Sequence, residues 1–249
     1  MATISGAGAK ALALSFPKDL RDTRSVISLT SIPPRFATLG PVLETLTAQG
    51  ADAVVLALPR AFRRFPGTTE APPLPKGVTL LRSGTDPGPA LKLLGALHAC
   101  PNARITACDD DTLYGDGWLR ALEHAGAPDI ATTGAGWSVT RLKRRGLPPP
   151  SVDIAQGFSG LSVTPCMFGP EVFAIPDVAW PVDDIWFSGM LAQSGTAIRA
   201  VPDARALCTP LDRPAALQSA PDLPERATAN AATAQWLHDR FGIWPSQLP

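Results

Sequence analysis

Residues 104–116, RITACDDDTLYGD, run a short apolar strand straight into three consecutive carboxylates, Asp109, Asp110 and Asp111. Adjacent like charges repel, so such a triplet either lies in water as a loop or shares a cation. The segments around it decide between the two. Upstream, SVISLTSIPPRF (25–36) opens as a β-rich run that Pro33-Pro34 stops. LGPVLETLTAQG (39–50) places Leu39, Val42, Leu43 and Leu46 on one helical face, with Gly50 suited to the turn that follows. AVVLALP (53–59) is a continuous apolar run, as a strand covered on both faces would be. GVTLLRS (77–83) gives a third strand and PALKLLGALHAC (89–100) a helix with Pro89 in its first turn. RITAC is then the fourth strand, and DGWLRALEHAG (116–126) a helix with Asp116 expected as its N-cap.

That alternation implies an α/β fold, a mixed and mostly parallel sheet with helices on both faces. Ligands of such sheets bind outside the carboxyl ends of the strands, which is where the triplet lies. The second half is less regular. DIATTGAG (129–136) reads as a strand, WSVTRLKRRGLPPP (137–150) as a basic loop, and GFSGLSVTPCMFG (157–169) as a strand or hairpin. VDDIWFSGMLAQSG (182–195) reads as a helix begun by acids, TAIRAVP (196–202) as a strand, and ATANAATAQWLHDRFGIW (227–244) as a helix. With no repeat and no clear linker, one domain is expected over residues 24–249, made of halves 24–125 and 126–249, after a loosely ordered arm at 1–23.

The 249 residues, 45% hydrophobic and 18% charged, suit a folded core rather than a disordered chain. Twenty-two basic residues balance 22 acidic ones, so no net field draws the chain to nucleic acid, and none is expected as a partner. Four scattered cysteines, Cys100, Cys108, Cys166 and Cys208, form no C-x-x-C pair and read as ordinary thiols. No stretch has the ~20 apolar residues of a membrane span. ALALSF (11–16) is cut off by Pro17, Lys18 and Asp19, a poor signal peptide, so a cytoplasmic location is expected.

Two carboxylates at i and i+2 after a strand can present oxygen to a hard cation such as Mg²⁺ or Mn²⁺, with open positions left for a nucleotide diphosphate. The bland option is an acidic turn leading into a helix. A haloacid dehalogenase phosphatase places Thr two positions after its second Asp, on the first strand. Here Leu113 holds that place, on the fourth. No Walker A loop, G-x-G-x-x-G or G-x-S-x-G is found. A second pair, Asp183-Asp184, opens a helix, where capping competes with a catalytic role. Lys92, on an otherwise apolar helix, is either a solvated residue or a point charge for phosphate. The basic run at 141–145 is either a solvated charge run or a peripheral contact with the inner membrane face.

CDDDTLYGDGWL (108–119) resembles the D-x-D region of nucleotide-sugar-dependent glycosyltransferases of the GT-A fold, small bacterial and family 2-like. SLTSIPPRF (28–36) resembles their first strand and loop, and TDPGPALKLLGAL (85–97) the segment leading to the D-x-D strand. VDDIWFSGML (182–191) is similar to the acidic helix start of inverting members, so the match spans about residues 24–200. The resemblance implies a Rossmann-like GT-A sheet and metal-dependent transfer from a nucleoside-diphosphate sugar to a glycan or lipid-linked glycan acceptor, in cell-surface glycan synthesis. By it, Asp109 faces the ribose or base and shares with Asp111 the Mn²⁺ or Mg²⁺ that bridges the diphosphate. Thr30, Ser31, Arg35, Asp86, Lys92 and Asp110 line the donor pocket. Asp184, with Asp183 beside it, deprotonates the acceptor and the anomeric centre inverts. Many members add a late histidine to the metal; only His238 stands at a corresponding place, inside a packing helix. A nucleotidyltransferase, or a binding module of the same fold without turnover, remains the alternative.

Overall fold

The computed structural model describes residues 12–15, 19–67, 70–148, 151–212 and 223–247. In chain order they form β1 (Ser25–Leu29), α1 (Leu39–Thr47), β2 (Ala53–Pro59), β3 (Val78–Ser83), α2 (Leu91–Ala99), β4 (Arg104–Cys108), β5 (Thr112–Tyr114) and α3 (Trp118–Ala125). The second half adds β6 (Ile130–Thr133), β7 (Gly136–Trp137), β8 (Ser151–Val152), β9 (Ile154–Ala155), β10 (Leu161–Val163), α4 (Asp183–Gln193), β11 (Ala197–Ala200), α5 (Pro202–Ala206), β12 (Cys208–Pro210) and α6 (Arg226–Phe241).

Eight strands make one sheet in the order β3-β2-β1-β4-β10-β6-β11-β8. The pairs β3–β2, β2–β1, β1–β4 and β6–β11 are parallel, while β10 runs antiparallel to both of its neighbours and β8 to β11. The sheet is therefore mixed and mostly parallel, and strands from both halves of the chain share it. Helices cover both faces, as the alternation requires. One buried cluster joins α2, α4 and α6 to the sheet, and the other joins α1, α3 and α5. β2 shows why its sequence is apolar throughout. Ala53, Val55 and Ala57 point into the first cluster, while Val54, Leu56 and Leu58 point into the second.

Several expectations are refined. Helix α3 begins at Trp118, and the capping position is Gly117 at φ 86° with no side-chain cap, so Asp116 is not the N-cap. The left-handed residue that turns the chain into the helix has to be the glycine, which displaces the start by one position. β1 ends at Leu29, before the prolines, and Pro33 and Pro34 instead open a short 3₁₀ helix, Pro33–Thr38. β5 pairs with β12 in a small antiparallel ribbon that the sequence does not announce. Within the expected N-terminal arm, Ser15 exchanges backbone hydrogen bonds with Arg82 on β3 (2.9 and 2.8 Å) and Leu20 is fully buried. Residues 1–11 and 16–18 of that arm lie outside the described residues.

The basic run is partly internal. Val139–Leu142 forms a 3₁₀ turn, and the buried Arg144 donates to the Trp244 carbonyl (2.9 Å) and to Gln235 on α6 (2.6 Å). Cys100, Cys108 and Cys208 are buried free thiols and Cys166 is exposed. Among the described residues no helix is long and apolar enough to cross a membrane.

Candidate functional site

Four loops leave the carboxyl ends of β1, β2, β3 and β4 and meet the start of α4 around one cleft. It encloses about 1010 Å³ out to its open mouth. Thr30, Ser31 and Arg35 reach it from β1, Phe62, Arg64 and Phe65 from β2, Asp86 from β3 and Asp109, Asp110 and Asp111 from β4. Lys92 on α2 and Asp183 and Asp184 on α4 close its floor, so all ten residues singled out in the sequence line one space. Phe62, Phe65, Arg64, Trp180 and Arg226 were not singled out. The signal for the first three was PRAFRRFPG (59–67), a loop that alternates rings and guanidinium groups at a strand's carboxyl end.

Two cationic centres, Lys92 and Arg35, hold the triplet and Asp183. Lys92 is buried, with Nζ 2.6 Å from Asp109 Oδ1 and 2.9 Å from Asp183 Oδ2. The solvated option for Lys92 is thereby excluded, because the ammonium ties the end of β4 to the first turn of α4. Burial works against its charge, but Asp109, Asp183 and Asp184 together outweigh that and hold its pKa well above the ordinary lysine value. Arg35 is the second centre. Its Nη1 donates to Asp110 Oδ1 (2.5 Å) and Asp111 Oδ2 (3.1 Å), and Ser31 Oγ donates to Asp110 Oδ2 (2.5 Å). Burial pushes the Asp110 carboxyl above the usual carboxylate range, against the pull of Arg35 and Ser31.

The triplet thus divides, Asp109 toward Lys92 and Asp110 with Asp111 toward Arg35. Among the described residues no three His, Cys, Asp or Glu side chains are gathered as a ready metal cage. His238 is not among the residues lining the cleft; its Nδ1 lies 2.9 Å from the Ile243 carbonyl just past α6.

Neither acid at the start of α4 caps its own helix, since the capping position, Val182, receives no side-chain bond. Asp183 reaches Lys92 instead. Asp184 accepts from the Gly157 amide (3.0 Å) and lies 3.5 Å from Arg226 Nη2 on α6. Burial first, then the neighbouring Asp183, raises its pKa to about 7, with Lys92 and Arg226 pulling the other way. A carboxylate at that value is close to half protonated at neutral pH.

Glycine lets the loop after β9 cross this floor at close range. A Cβ on Gly157 would stand 2.7 Å from Lys92 Nζ, 3.1 Å from Asp184 Oδ1 and 3.3 Å from Asp109 Oδ1. The same distances show how tightly Asp109, Lys92 and Asp184 converge. Asp86 closes the mouth on the other side. Its oxygens accept from the Arg63 amide (2.6 Å) and the Gly88 amide (2.8 Å), which joins the loops after β2 and β3. Trp180 donates to the Asp86 carbonyl (3.1 Å), and the Arg63 guanidinium lies 5.2 Å from its ring centre. Thr30 spends its hydroxyl on the Ala57 carbonyl (2.7 Å), so the side chain anchors β1 to β2 while lining the cleft.

No family model and no curated protein matches the chain. Among solved structures it is similar to 2-C-methyl-D-erythritol 4-phosphate cytidylyltransferase from Thermus thermophilus, at 15% identity and a TM-score of 0.36, over 86% of this chain and 98% of that one.

Proposed function

We propose that the cleft binds a nucleoside-diphosphate sugar and transfers the sugar to a hydroxyl acceptor, a glycan or lipid-linked glycan. The observation that carries the reading is Lys92, whose single ammonium draws the strand-end Asp109 and the helix-start Asp183 into one floor, with Asp184 beside them. A donor held at the first carboxylates would have its anomeric carbon close to the second pair. Rings and guanidinium groups from the loop after β2 suit a nucleobase and its phosphates.

The chemistry of the donor set fits a divalent ion. Six aspartates line the cleft against four cations, Arg35, Arg64, Lys92 and Arg226, so a diphosphate entering alone would add charge of the sign already in excess. Oxygen-only ligands of this kind suit Mg²⁺ or Mn²⁺. Asp109 and Asp111 would hold the ion, which when bound would offset charge on the leaving diphosphate.

The remaining work falls to the chain's own residues. Asp184 accepts the acceptor's hydroxyl proton as that oxygen bonds to the anomeric carbon. The bond from that carbon to the diphosphate oxygen breaks and its electron pair leaves with the diphosphate. Attack from the face opposite the leaving group inverts the centre. Arg64 and Arg226, at the rim, orient the phosphates and acceptor.

Melting curves with UDP- and GDP-sugars, with and without Mn²⁺, test the binding. A donor that stabilises the protein only with the ion is the expected outcome. Asp111→Asn should fold normally yet lose that stabilisation and at least ~100-fold in turnover. Near-normal activity of that variant with the ion present would contradict the reading.

A further inference from the structure

We propose that Arg35 is an exchangeable counter-charge at the cation seat, bridging Asp110 and Asp111 until a divalent ion held by Asp109 and Asp111 displaces it, and then turning onto the donor's diphosphate. This rests on the sugar-nucleotide reading and adds to it a coupling between ion and nucleotide.

One guanidinium nitrogen, Nη1, reaches both Asp110 Oδ1 and Asp111 Oδ2. The three side chains are nearly closed to water, at 13%, 6% and 8% exposure. The pairing therefore occurs in low dielectric, where breaking it without a replacement leaves charges bare. One guanidinium nitrogen spans two carboxylates, so a doubly charged ion taken up by Asp111 competes with it for the same oxygen. Arg35 belongs to a backbone that holds still. Its amide donates to the Ile32 carbonyl (2.9 Å), its carbonyl accepts from Thr38 Oγ1 (3.1 Å), and Pro33 and Pro34 open the turn. Only the side chain has to move, and the cleft that it lines is where the diphosphate would lie.

Two costs cancel in this arrangement. An ion arriving alone must turn Arg35 out of its desolvated pairing toward cleft acids, Asp86, Asp183 and Asp184, that already have partners. A nucleotide arriving alone must draw Arg35 away and deprive Asp110 and Asp111 of its charge. Arriving together, each supplies what the other removes, and by linkage each strengthens the other by the same factor. An arginine suits the exchange because its planar fork pairs with carboxylate and phosphate alike.

Titrations of free Mn²⁺ by electron paramagnetic resonance test this on wild type, Arg35→Met and Arg35→Lys, each alone and with UDP or GDP. Wild type should bind Mn²⁺ about tenfold or more tightly once nucleotide is present. Arg35→Met should bind Mn²⁺ alone about tenfold more tightly than wild type does alone, with nucleotide adding little, and Arg35→Lys should keep part of the coupling. Should Arg35→Met fold only with help, recovery of its fold in Mn²⁺ but not in EDTA supports the exchange, and recovery in neither or equally in both overturns it. If wild type binds Mn²⁺ with nucleotide while Arg35→Met shows unchanged affinity alone and unchanged coupling, Arg35 is not that counter-charge. If no protein binds Mn²⁺ or nucleotide in any combination, the sugar-nucleotide reading falls with it.

Discussion

Lys92 joins Asp109 to Asp183 from a buried position, and its surroundings set a clear expectation. Replacing it with methionine leaves Asp109 and Asp183 facing each other across a floor closed by Gly157. Loss of one partner from a buried ion cluster costs about 3–5 kcal/mol, so Lys92→Met should melt roughly 10 °C lower than wild type. A shift within the ±0.5 kcal/mol of an ordinary surface change would mean that the ammonium is solvated after all. Asp184 offers a test by pH. Its folded-state pKa, about 7, lies above the ordinary ~3.9 of an unfolded aspartate. The unfolded chain therefore releases this proton first, and the penalty on the native state grows as pH rises from about 4 to about 7. Asp184→Asn, melted in EDTA, should match wild type near pH 4 and exceed it by a few degrees near pH 8. An equal offset at both pH values would show that burial does not press on this carboxyl.

At the scale of elements, what was legible followed from periodicity. The face of α1 is buried at Leu39, Val42, Leu43 and Leu46, as the spacing requires, and β2 is buried along its whole length, as an unbroken apolar run requires. What was not legible depends on partners far along the chain. Thr112-Leu113-Tyr114 is too short to read as a strand until Cys208–Pro210 arrives beside it. Lys92 could be weighed either way because its acids lie just past β4 and on α4, beyond the reach of any helical spacing. Arg226 and Trp180 join the cleft from α6 and from the turn before α4, with no local pattern to mark them. The latch at Asp86 is an element-scale device and can be probed at Gly88. That residue has φ +67°, and a Cβ there would stand 2.7 Å from the Trp180 ring. Gly88→Ala should cost about 1–3 kcal/mol from strain and overpacking together. It should also raise KM for the donor more than it lowers kcat, because the latch shapes the mouth and touches no reacting atom. Unchanged melting and KM would show that the loop adapts.

For the whole molecule, the sheet explains why one cleft can gather residues from so much of the sequence. β3, β2, β1 and β4 run parallel, so the loops at their carboxyl ends share one edge. β10 then inserts antiparallel between β4 and β6, and the chain that precedes it brings Gly157 over the floor. The fold class was readable because strand and helix alternate cleanly through residue 125. In the second half α4 and α6 were readable, but the two- to four-residue strands and short turns were not readable in the same detail, since each piece is fixed by its neighbours in space. The cleft has excess acid in a chain of zero formal charge, so charge is concentrated where a cation and a polyanion would meet.

The most direct measurement is nucleoside-diphosphate release from a panel of sugar nucleotides with Mn²⁺ and glycan acceptors, run on wild type and Asp184→Asn. At least one donor should be turned over, with release falling about 100-fold or more in the variant while the donor still binds. Pyrophosphate release from a nucleoside triphosphate instead, or turnover untouched by Asp184→Asn, would contradict sugar transfer at this cleft.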